Sequence, residues 1–139
     1  MSNPAFKFDH VHITAKNPRE TAEWYVDMFG AEVMADTMAR GAPQIFLELG
    51  GVTILVRGQR PGEAPVDTRP NQAFCDFASH NEWGTDHFGF LYKGDLEAFC
   101  AELRAKGVKF PVALKTGVGG KRLCFVTAPD NVSIEIMEC

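Results

Sequence analysis

Hydrophobic and polar positions change their period along this chain, and they do so in the same order twice. Residues 7–14 alternate, which predicts a strand with His10 and His12 on one face. Asn17-Pro18 then opens a helix, with Asn as the cap, Pro at the first helical position and Glu20 near the positive end. Its buried stripe is Ala22, Tyr25, Val26 and Phe29, flanked by Trp24 and Met28, and Gly30 stops it. Three strands are predicted next, over 32–35, 44–49 and 52–56, with Gly50-Gly51 as the hairpin turn between the last two. The first half therefore reads βαβββ.

Between about 58 and 83 the pattern breaks. Pro61, Gly62, Pro65 and Pro70 punctuate a polar connection that could also serve as a lid. Phe74, Phe77 and Trp83 are more apolar than a connection needs, and fit a small satellite core or a partner surface. The second half repeats the order of the first: a strand over 87–92, then a helix over 95–106 with Leu96, Phe99, Cys100 and Leu103 inside. A short strand at 108–110, a glycine loop at 117–120 and strands at 122–126 and 132–137 follow, the last two joined by a turn at 128–131. The expected organisation is one domain over 1–139, with a first module at about 5–57 and a second at about 84–139. Asp9-His10-Val11 opens one module and Asp86-His87-Phe88 the other. A duplicated unit with histidine at the same point of each copy can bring two imidazoles together across a pseudo-twofold axis.

Composition narrows the function. Hydrophobic residues at 45% and charged residues at 23% are ordinary for a soluble globular protein. A net charge of −4 argues against nucleic-acid or anionic-membrane partners. No segment is long enough to span a membrane, and the N-terminus lacks the pattern of a secretory signal, so cytoplasm is expected. Cys75, Cys100, Cys124 and Cys139 have no metal-knuckle spacing and are expected as reduced thiols, with Cys100 and Cys124 in the core.

Further text repeats a known pattern. Ala22-Glu23-Trp24-Tyr25 runs on to Phe29-Gly30, and the second module carries Leu103-Arg104-Ala105-Lys106-Gly107-Val108. Near the end stands Phe125-Val126-Thr127-Ala128-Pro129-Asp130-Asn131-Val132-Ser133-Ile134-Glu135. With the two Asp-His openings, these stretches resemble the vicinal oxygen chelate superfamily, which includes glyoxalase I, methylmalonyl-CoA epimerase, extradiol dioxygenases and fosfomycin-resistance proteins. The resemblance implies an α+β fold of two βαβββ modules forming a curled, cup-shaped mixed sheet around a divalent metal. Its ligand positions map to His10, His87 and Glu135, while Leu55 stands where four-ligand members carry Glu or Gln. Many members read Asp-Pro-Asp-Gly where this chain has Ala128-Pro129-Asp130-Asn131.

Two histidines and one carboxylate leave open positions on an octahedral metal and suit Fe(II), Mn(II), Zn(II) or Ni(II). Glu135 also draws attention without the resemblance, because a carboxylate between Ile134 and Ile136 is costly unless paired. His12 is a candidate acid/base, with a lining histidine as the alternative. Glu48 is a weaker candidate base, placed beside the hairpin and expected to be exposed. Lys121 and Arg122, with Lys115, could contact an anionic substrate tail, although a solvated cluster is the plainer reading. His80 is expected at the surface.

The expected function is a metal-dependent, glyoxalase-like lyase or isomerase acting on a small substrate held through vicinal oxygens. The alternatives are an Fe(II) extradiol dioxygenase, a fosfomycin-type thiol transferase, and a non-catalytic bleomycin-resistance-like binder. A homodimer is expected.

Overall fold

Pro18 starts the first helix, α1 (Pro18–Phe29), and Gly30 ends it in a left-handed conformation at φ 72°. Gly30 N–H donates to Val26 O and Ala31 N–H to Tyr25 O, which satisfies carbonyls the helix would otherwise leave open. Asn17 makes no side-chain cap, contrary to expectation. Pro18 has no N–H to satisfy, so one of the usual capping demands is missing. The computed structural model describes residues 1–139 as two units, Met1–Val66 and Asp67–Cys139.

In the first unit, β1 (His10–Thr14), β2 (Glu32–Ala39), β3 (Ala42–Leu49) and β4 (Val52–Arg57) form one sheet in the order β1-β4-β3-β2. The β1–β4 pair is parallel and the others antiparallel. Ile13, Ile45, Leu47, Ile54 and Val56 are buried together with Thr21, Ala22 and Tyr25 of α1. Strand alternation therefore turns His10 and His12 to the opposite face. By register, Thr53, Leu55 and Arg57 lie beside them, followed by Glu48, Phe46 and Gln44.

The second unit begins with a short hairpin, β5 (Gln72–Ala73) and β6 (Ala78–Ser79). Its sheet contains β7 (Phe88–Tyr92), β8 (Lys109–Thr116), β9 (Arg122–Thr127) and β10 (Ser133–Glu138), in the order β7-β10-β9-β8. Between β7 and β8 runs α2 (Leu96–Ala105), capped by the Asp95 carboxylate, which accepts from Ala98 N at 3.0 Å. Leu96, Cys100 and Leu103 of α2 are buried, as are Cys124, Val126, Ile134 and Ile136. The two βαβββ modules of the expected α+β fold are thus present, each sheet hydrogen-bonded within its own unit.

Several elements differ from expectation. The connection contains the β5–β6 hairpin, and Ala78 is fully buried in a cluster with Val112, Leu123 and Phe125, packed by Met137. A satellite core exists there, but Phe74 and Phe77 stack on each other at its exposed rim and Trp83 is exposed. β2 and β3 extend to a tight turn at Arg40-Gly41, with φ of 50° and 83°. β8 continues past Pro111, because it is an edge strand and tolerates a missing donor. Asp130 and Asn131 both adopt positive φ in the turn before β10. No helix is long and apolar enough to cross a membrane.

Candidate metal centre

Glu135 sits mid-strand in β10, opposite Phe125 on one side and Gly89 on the other. His87 immediately precedes β7, and its Nε2 lies 3.1 Å from Glu135 Oε2. On the far side of the ring, Nδ1 lies 2.8 Å from Asp86 Oδ2. Burial pushes the Asp86 carboxyl up, but hydrogen bonds from Ser79 and His87 outweigh it and hold the group below the ordinary carboxylate range. An ionised Asp86 accepts from Nδ1, which leaves Nε2 directed at the Glu135 carboxylate.

Nε2 and the carboxylate oxygen stand 3.1 Å apart, a contact that is favourable only with a proton or a cation between the two atoms. Adjacent donors around an octahedral ion with bonds of ~2.1 Å are ~3.0 Å apart, so the pair has the span of two neighbouring ligands. The His87 ring is further set by edge-on packing against Phe125 at 5.0 Å. Gly89 matters for the same reason. A Cβ there would stand 3.2 Å from Glu135 O and 3.3 Å from Glu135 Cβ. A cavity of about 140 Å³ adjoins the pair, lined by Gly89, Phe90, Leu91, Glu135 and Met137.

In the first unit His10 has the same support. Its Nδ1 lies 2.7 Å from Asp9 Oδ2, and the side chain is 45% exposed. The structure brings His87 and Glu135 together, and no group of three or more His, Cys, Asp and Glu side chains is arranged to hold a metal. His12 follows on the same face, with Leu55 opposite it. Burial, then the positive charges of Arg57, His10 and Arg60, hold His12 below the ordinary imidazole range despite Glu63.

The weaker candidates have structural occupations. Glu48 Oε1 accepts from Gly51 N at 2.8 Å, closing the β3–β4 hairpin. Arg122 Nε donates to Glu138 Oε2 at 3.1 Å, and its NH1 lies 3.5 Å from Glu97 Oε2. Lys121 is exposed beside the glycine loop. His80 is half-buried, not a plain surface residue: its ring nitrogens face Asp86 O at 3.3 Å and Asn131 O at 2.6 Å, joining the connection to the turn before β10.

Sequence reasoning passed over Arg57, Arg60 and Glu63. Arg57 forms a two-pronged pair with Glu63, NH1 to Oε1 at 2.6 Å and NH2 to Oε2 at 3.1 Å. The signal available was its alternation with Thr53 and Leu55, which places it on the histidine face.

Known proteins resemble this chain in sequence or in fold. The uncharacterized protein YwkD of Bacillus subtilis (strain 168) is 26% identical over 131 residues, 93% of this chain and 94% of that protein. The glyoxalase family protein from Enterococcus faecalis superimposes with a TM-score of 0.71 at 22% identity, covering 95% of this chain and 97% of that one. The fosfomycin resistance protein FosX from Listeria monocytogenes does so with a TM-score of 0.69 at 15% identity, covering 96% and 93%. Another structure of FosX, a variant, was determined with Mn(II) and a dihydroxypropylphosphonic acid. Residues 7–136 match the model of the Glyoxalase/Bleomycin resistance protein/Dioxygenase superfamily, and the chain belongs to that family.

Proposed function

We propose that this protein is a divalent-metal-dependent enzyme of the glyoxalase-like lyase or isomerase kind, acting on a small substrate through two adjacent oxygens. The observation that carries this reading is the 3.1 Å approach of His87 Nε2 to Glu135 Oε2, with the other side of the ring held by Asp86. His87 and Glu135 are two of the proposed ligands. His10, oriented by Asp9 as His87 is by Asp86, is proposed as the third. Mn(II) is favoured by the likeness to FosX, and Fe(II), Zn(II) and Ni(II) suit the same donors.

When bound, such an ion polarises a carbonyl or hydroxyl oxygen and lowers the cost of removing a neighbouring proton. His12 supplies the base. Its depressed pKa keeps the imidazole neutral near pH 7, able to accept a proton. Gly89 keeps the space beside Glu135 open for the substrate, and Leu91 and Met137 give that space an apolar wall. Leu55 supplies no fourth ligand, and the coordination left open would equally serve an Fe(II) ring-cleaving dioxygenase. Oxygen uptake with catechol would reveal that alternative. We place the enzyme in the cytoplasm as a homodimer; the exposed Val33, Met34 and Met38 of edge strand β2 offer surface for association.

Purification without chelator, followed by metal analysis and Mn(II) titration calorimetry, tests the proposal. One ion per chain is expected, with affinity at least tenfold weaker in His87→Ala. A protein that takes up no divalent metal, with stability unchanged by EDTA, would instead be a metal-free binder.

A further inference from the structure

We propose that Arg57 and Arg60 form an oxyanion-binding site on the histidine face of the first unit, which receives a carboxylate or phosphonate group of the substrate. Arg57 ends β4 two residues beyond Leu55, the partner of His12, so its side chain leaves the sheet on the side of His10 and His12. Arg60 reaches that face as well, since its NH2 donates to Gln44 Oε1 at 3.2 Å and Gln44 is the β3 partner of Arg57.

The charges there do not balance. The Arg57 side chain is only 11% exposed and shares the Glu63 carboxylate with the backbone N–H of Arg60. Glu63 is thus the one carboxylate held by this loop, against two guanidinium groups. The Nε atoms of both arginines are buried and have no hydrogen-bond partner. Burying guanidinium groups with unsatisfied donors is costly, and an oxyanion at their remaining N–H groups offsets that cost with charge and paired acceptor oxygens that no neutral group matches. A local excess of positive charge is also conspicuous in a chain whose net charge is −4.

The loop that carries these groups is held in place. Gly58 N donates to Pro43 O at 2.9 Å, and a Cβ on Gly58 would meet Pro18 and Pro43 at 3.2 Å. A Cβ on Gly41 would come within 2.9 Å of Pro61. Gln59 Nε2 donates to Glu63 O at 2.6 Å, and Glu63 N to Arg60 O at 3.1 Å. The two guanidinium groups are therefore presented by a packed turn, and little ordering is required on binding.

His10 and His12 are ~7 Å apart along the strand, with Arg57 beyond, so a short molecule could reach from His10 to the arginines. That points to a small hydroxy acid or hydroxyphosphonate. Only this assignment to the substrate rests on the proposed function; the oxyanion site stands without a metal.

The test uses full-length protein stripped with EDTA and dialysed to low ionic strength. Inorganic phosphate, methylphosphonate and acetate are titrated separately by calorimetry, and the tighter of the last two identifies the substrate's acidic group. Saturable binding of phosphate is expected, at least tenfold weaker in Arg60→Gln. Glu63→Gln should bind phosphate more tightly, because removal of the competing carboxylate frees Arg57. Mn(II) affinity of Arg60→Gln should stay within twofold of the parent, which separates failure of this site from failure of the metal reading. Absence of saturation with all three anions in both the parent and Glu63→Gln would overturn the proposal, as would phosphate binding unchanged in Arg60→Gln.

Discussion

Nε2 of His87 and Oε2 of Glu135 stand 3.1 Å apart, and the opposite nitrogen of the same imidazole is held by Asp86. This arrangement aims an imidazole nitrogen and a carboxylate at a shared point, one side chain on β10 and the other directly before β7. Asp86→Asn keeps the shape but loses the charged acceptor, so the preferred tautomer of His87 is no longer enforced. We expect metal affinity to fall roughly 10- to 100-fold with the fold intact, measured by Mn(II) calorimetry and circular dichroism.

Gly89→Ala tests the close approach of β7 to β10. The added methyl would stand 3.3 Å from Glu135 Cβ and 3.2 Å from its carbonyl oxygen, both on a rigid strand. Crowding of this kind costs on the order of 1–3 kcal/mol. We expect a lower thermal midpoint together with weakened Mn(II) binding, since the residue displaced is a proposed ligand. A variant with both properties unchanged would show that the strands can separate without moving the carboxylate.

Much of this arrangement is legible in the amino-acid sequence itself. The βαβββ repeat follows from periodicity, and the alternation of Ser133, Glu135 and Met137 against Ile134 and Ile136 already set the carboxylate on the face away from α2. The β5–β6 hairpin was not legible, because strands of two residues carry no period. The Arg57–Glu63 pair joins a strand end to a loop six residues on, which no hydrophobic pattern encodes. Arg122 reads from sequence as a solvated cation or a weak substrate contact, and its pairing with Glu138 of β10 is set by tertiary contact that the sequence pattern does not encode. His10 and His87 were found as repeated text, and their shared support by the preceding aspartate is a finding of the structure.

Acid sensitivity follows from the two arginine–carboxylate pairs. Hydrogen bonds from Arg57 and from the Arg60 backbone hold Glu63 below the ordinary glutamate range, and the Arg122 backbone and side chain do the same for Glu138. Groups depressed on folding contribute stability that is present above the unfolded value of ~4.3 and lost as pH falls through the folded value. Urea midpoints should therefore drop between about pH 5 and pH 3. The drop should be shallower in Glu138→Gln, with a lower starting stability at pH 7. An identical pH profile in that variant would mean the pair is not formed.

Thiol accessibility gives an independent check on the second unit. Cys100 and Cys124 are buried with their sulfurs 3.7 Å apart, while Cys75 and Cys139 are exposed. Burial pushes both inner thiols up, so neither presents a thiolate near neutral pH. A thiol-reactive dye should label two cysteines within minutes and the other two only after denaturation. Rapid labelling of all four would contradict the packing of α2 on its sheet.

The central claim is that His87 and Glu135 hold a cation between them, and an anomalous difference map from crystals grown with Mn(II) tests it most directly. The account predicts a peak at ~2.0–2.3 Å from both His87 Nε2 and Glu135 Oε2, with His87 Nδ1 still bonded to Asp86. A map in which the two side chains keep their direct contact while Mn(II) binds elsewhere, or nowhere, would contradict it.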